Sequence, residues 1–184
     1  MQRYKASTTK EDRLEIIGQF MALGHDRNAM MLIEALKDES TEVRVKAVEY
    51  AASLEPGVSA QVLKEACIND AKDAREMGWS LLAPHPLENK APVLMAAIER
   101  GTDVVLEEAM SEMGRTPEMP LFEAMLASAT RVQDARQSRV FRELQEWLKP
   151  GGGAVPAFKS VDEMVAWWAA NKQRYDQFML RIDL

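Results

Sequence analysis

The sequence predicts an all-α protein, a solenoid of about four stacked helical hairpins with flanking terminal helices, and three observations carry that prediction. Setting Ala35, Ala66 and Ala97 in register aligns Leu36 with Cys67 and Ile98, Val43 with Ala74 and Val105, and Ala47 with Gly78 and Ala109, a step of 31 residues each time. Ala51 then falls over Leu82 and Met113, and Pro86 over Pro117, so apolar positions match apolar ones and breakers match breakers. Within a copy, Val43, Ala47, Val48, Ala51 and Leu54 recur at the spacing of an amphipathic helix, and strand alternation is absent.

Taken in order, the elements read as helices near 9–23, 26–37, 41–54, 58–68, 71–83, 89–100, 102–113, 118–129, 133–148 and 160–181. An amino-terminal half copy, Leu14, Ile17, Gly18 and Met21, precedes three full ones. A fourth follows with about one residue deleted, because Asp134-Ala135-Arg136 echoes Asp73-Ala74-Arg75. Thr8 with Glu11 and Ser160 with Glu163 have capping-box spacing, where a side-chain oxygen takes a free N–H of the first turn. Gly24 and Gly101 fit C-terminal stops, and Pro92, Pro117 and Pro120 fit first turns. One hairpin cannot bury its own stripe, so neighbours must stack and leave one helix of each on a curved surface.

The stretch from Leu36 through Asp38, Glu42, Val43, Arg44, Ala47 and Ala51 to Leu54 resembles the HEAT repeat consensus, especially its bacterial HEAT-like type. The resemblance covers roughly 10–148 and implies a right-handed superhelix with second helices 41–54, 71–83, 102–113 and 133–148 on the concave side. It also implies an intra-repeat Asp–Arg ladder, matched here by Asp38 with Arg44 and Asn69 with Arg75. The third copy departs, with Arg100 and Leu106 at those places.

Domain organisation follows: 1–148 as the solenoid, 149–159 as a connection, 160–184 as a terminal helix. Pro150, three glycines and Pro156 exclude helix from the connection. Beyond it Val161, Met164, Val165, Trp168, Tyr175, Phe178 and Ile182 recur at helical spacing, which suits a cap on the last hairpin. Trp167 falls off that stripe and is a candidate binding anchor beside Asn171.

Composition narrows the function. The 184 residues carry 23 Lys and Arg against 29 Asp and Glu, net charge -6, which disfavours nucleic acid as partner. The longest apolar run, 91–98, is too short to cross a membrane. The amino end lacks the apolar core of a signal peptide, and the lone Cys67 fits a reducing, cytoplasmic compartment, with export after removal of an unseen signal left open. Cys67 stands at a core position of the repeat and reads as a small buried hydrophobe.

Candidate chemistry is sparse, and no cofactor or metal is expected. Only His25 and His85 could supply imidazole, and both fall in turns. The HEAT-like deoxyhypusine hydroxylases hold iron with His-Glu dipeptides, whereas this chain has His25-Asp26 and His85-Pro86. The segment 99–123 is acidic, and the concave assignment would gather Glu107, Glu108, Glu112 and the repeat-matched Glu76 into a patch for a basic partner. Arg136, Arg139 and Arg142 form a basic strip along the last concave helix, able to grip phosphate or carboxylate.

The expected function is a non-enzymatic protein–protein interaction scaffold taking a protein or peptide on its concave face. The alternative is a HEAT-like alkylpurine DNA glycosylase, which Trp79 and the arginine strip imitate, or a chromophore lyase. Oligomeric state is left open by the sequence.

Overall fold

The computed structural model describes residues 2–23, 28–113, 117–149 and 155–182. Its helices are α1 (Gln2–Ala6), α2 (Lys10–Ala22), α3 (Asn28–Ala35), α4 (Thr41–Ala51), α5 (Pro56–Cys67), α6 (Lys72–Leu82), α7 (Leu87–Arg100), α8 (Asp103–Met113), α9 (Met119–Ala129), α10 (Asp134–Leu148) and α11 (Val161–Asn171). Among the described residues there is no strand, and one isolated antiparallel bridge joins Tyr175 to Arg181.

The chain forms two compact units, Met1–Asn89 and Lys90–Leu184. In the first, α3 packs on α4 and α5 on α6, while helices two apart also meet: α2 with α4, α3 with α5, α4 with α6. Like helices therefore stack on like, the arrangement that a hairpin needs when it cannot cover its own apolar stripe. In the second, α9 packs on α10 and α11 on α9. The positions aligned by the 31-residue step are the buried ones: Ala35, Ala66 and Ala97, then Val43, Ala74 and Val105, then Ala51, Leu82 and Met113.

Several expectations need correction. The undeleted step runs on to Val140, after Ala47, Gly78 and Ala109, and to Leu144, after Met113, both buried, while it places the half-buried Arg136 after Val105. The cap of α2 is Thr9, whose hydroxyl accepts from the Asp12 N–H at 3.2 Å, one residue beyond the expected Thr8. Ser160 does cap α11 through the Glu163 N–H at 3.2 Å. Pro92 lies inside α7, because that helix begins at Leu87; Pro56 and Pro120 occupy the first-turn places where a missing N–H costs least. Gly24 falls outside the described residues.

The largest correction is at the carboxyl end, where the expected helix 160–181 stops at Asn171. The Asn171 amide donates to the Trp167 carbonyl, and one 3-10 turn, Lys172–Arg174, follows. Asp176 Oδ1 then accepts from the Phe178 and Leu180 N–H groups, both at 2.9 Å. The carboxylate closes a hairpin by offering the backbone a partner that competes with helix. Met179 takes φ 61 there, a left-handed conformation that a continuing helix excludes.

Gly101, buried between α7 and α8, shows how tightly this joint is drawn. A Cβ there would lie 2.7 Å from the Ala97 carbonyl oxygen and 2.7 Å from Val105 Cγ1. Gly101→Ala should therefore lower unfolding free energy by about 1–3 kcal/mol in a denaturant titration, despite alanine's better helix propensity. An alanine variant as stable as wild type would show that the joint yields freely.

Candidate functional site

The most ordered polar feature is a ladder of arginines at the same 31-residue step: Arg13, Arg44 and Arg75. Arg44 Nη1 donates to the carbonyls of Asp38 at 2.7 Å and Glu39 at 3.0 Å, and Arg75 Nη1 repeats this at Asn69, 2.9 Å, and Asp70, 2.8 Å. The Arg44 and Arg75 guanidiniums thus hold the turns five and six residues behind them, satisfying backbone carbonyls between the helices. The pairs expected within a repeat, Asp38 with Arg44 and Asn69 with Arg75, form through the backbone carbonyls of Asp38 and Asn69. The Asp38 carboxylate receives Arg13, whose Nε lies 2.7 Å from Oδ2, and the Tyr4 hydroxyl at 2.6 Å, while Arg44 pairs with Asp73 of the next hairpin. Asn69 donates back to the Leu36 carbonyl at 3.0 Å.

In the second unit Gln137, at the same step from Leu106, donates to the carbonyls of Ala129 and Val132, both at 3.0 Å. An amide performs there what guanidinium performs earlier. Sequence reading missed Arg13, Asp73 and Gln137, although 13, 44 and 75 share the period that aligned the alanines.

Electrostatics follow this geometry. The Arg44 hydrogen bonds hold the Asp73 carboxyl at about 2, below the ordinary 3.8, against the opposing effect of burial. Burial would raise Asp38, but the Tyr4 hydroxyl, the Ser40 N–H and Arg13 together bring it below the ordinary value. Burial and the bond to Asp38 push the Tyr4 hydroxyl upward. A depressed carboxylate stabilises the fold above its unfolded pKa and loses that contribution as pH falls through the folded value. Asp73→Asn should therefore cost about 2 kcal/mol near neutrality, with the gap from wild type closing as pH falls from about 4 to about 2. Parallel stability curves across that range would sink this assignment.

The acidic and basic candidates of the second unit lie side by side. On α8, Glu107 and Glu112 are exposed and Glu108 is half-buried; on α10, Arg136 and Arg139 are half-buried and Arg142 is exposed. Arg136 reaches Asp103 at 3.4 Å and the Ile98 carbonyl at 2.9 Å, and Arg139 Nη2 lies 3.8 Å from Glu107. Glu99 takes Ser128 at 3.0 Å and Arg131 at 2.8 Å, and Glu123 takes Trp168 Nε1 and Lys172, each at 3.2 Å. Much of the acidic segment thus has donors of its own. Glu76 belongs to the first unit, where it pairs with Lys72 on the surface of α6 at 3.2 Å, and Trp79 is half-buried on the same helix.

Trp167 is half-buried in an aromatic group. Its ring centroid lies 5.3 Å from Phe158 and 6.2 Å from Tyr175, both edge-on, while Trp168 packs 4.6 Å from Phe122 and 5.3 Å from Tyr175. The T-shaped arrangements are those aromatic quadrupoles favour, and they make Trp167 partly a packing residue.

His25 lies outside the described residues, and His85 Nδ1 meets the Asn89 amide at 3.0 Å. Among the described residues no group of three or more His, Cys, Asp or Glu is placed to hold a metal ion, and no helix is long and apolar enough to cross a membrane. Cys67 is buried, with its sulfur facing Gly78. Among the described residues the protein is all-helical, and in its first unit stacked helix pairs have their turns tied by arginine. Beyond that class, comparison with family models, with curated proteins and with solved structures finds no match.

Proposed function

We propose that this chain is a non-enzymatic interaction scaffold of the HEAT type, which holds a protein or peptide against the α8 and α10 surface of its second unit. The observation that carries the reading is the loose pairing across that surface: Glu107 stands 3.8 Å from Arg139 and remains largely exposed. Exposed pairs of this kind contribute little to stability, so a partner's cation can replace Arg139 at small cost. Glu108 and Glu112 lie on the same helix as Glu107, and Arg142 at the far end of the strip offers a cation for a partner's carboxylate. The lone buried Cys67 suits a cytoplasmic setting.

The test uses the purified chain as bait in lysate from its source, beside Glu107→Lys/Glu108→Lys/Glu112→Lys, after circular dichroism shows equal helicity. The expected result is a retained protein whose affinity for the variant falls at least about tenfold, a difference of roughly 1.4 kcal/mol. Equal retention by both, or none by either, overturns the α8 and α10 site.

A further inference from the structure

We draw no further inference here: the strongest candidate, the exposed apolar patch of Phe178, Leu180 and Ile182 on the C-terminal hairpin, has Lys172, Arg174 and Arg181 beside Asp176 and Glu123, so neither charge nor any other feature of the structure shows what covers it.

Discussion

Phe122→Ala is expected to remove roughly 3–5 kcal/mol of stability, the range for emptying a fully buried aromatic site. Phe122 sits on α9 with no exposed surface, and its ring meets Trp168 of α11 at 4.6 Å with the planes tilted by 53°. Truncation loses the apolar burial, leaves a cavity, and forfeits an aromatic pair worth about 0.5–1.5 kcal/mol beyond its area. Among the described residues, the polar ties between Glu123 of α9 and Trp168 Nε1 and Lys172 Nζ are each 3.2 Å long and at least partly solvated. They cannot hold α11 alone. Hydrogen exchange should accordingly quicken across Val161–Asn171 in the variant while α4 keeps its wild-type protection. A loss below about 1 kcal/mol, or unchanged exchange in α11, would mean that the joint is held by something other than this ring pair.

The helices were legible because burial leaves a mark at fixed spacing. Ala35, Ala66 and Ala97 share one environment, and a core position accepts only small or apolar side chains there, so the 31-residue step survives in the letters. The helix α1 was not legible, since five residues with one buried side chain, Tyr4, show no period. The end of α11 was misread for the opposite reason. Tyr175, Phe178 and Ile182 keep helical spacing, but Tyr175 is buried while Phe178 and Ile182 are exposed, and the turn is decided by one carboxylate, Asp176. The ladder was half legible. Arg44 and Arg75 stood out, yet sequence alone does not say whether an arginine bonds a side chain or a carbonyl, and the latter leaves no paired residue to find. For the candidate site, the sequence shows which residues carry charge; the neighbours that share it, such as Arg139 at Glu107 and Arg131 at Glu99, lie about thirty residues away.

Arg75→Met should cost about 3 kcal/mol, more than any surface charge change in this chain. The side chain is 5% exposed, so its charge has left most of its water behind, and it lies in the first turns of α6, where the helix dipole disfavours a cation. Among the contacts that offset those costs are the carbonyls of Asn69 and Asp70, reached at 2.9 and 2.8 Å by one nitrogen. Methionine preserves much of the volume and removes the donors, which leaves two carbonyls of the α5 to α6 turn unsatisfied. Lysine is no substitute, since a single ammonium on a flexible stem lacks the planar fork. Two controls separate this from ordinary charge loss. Lys46→Met removes an exposed pair with Glu49 and a surface cation contact 5.1 Å over the Tyr50 ring, and should shift stability by less than about 1 kcal/mol. Gln137→Met removes a neutral donor from the equivalent turn of the second unit and should cost about 1–2 kcal/mol. Urea unfolding of the three variants reads the order directly, Arg75 first, Gln137 second, Lys46 last. If Arg75→Met unfolds at the wild-type urea concentration, water satisfies those carbonyls as well as the guanidinium does, and the period of 31 then reflects apolar packing alone.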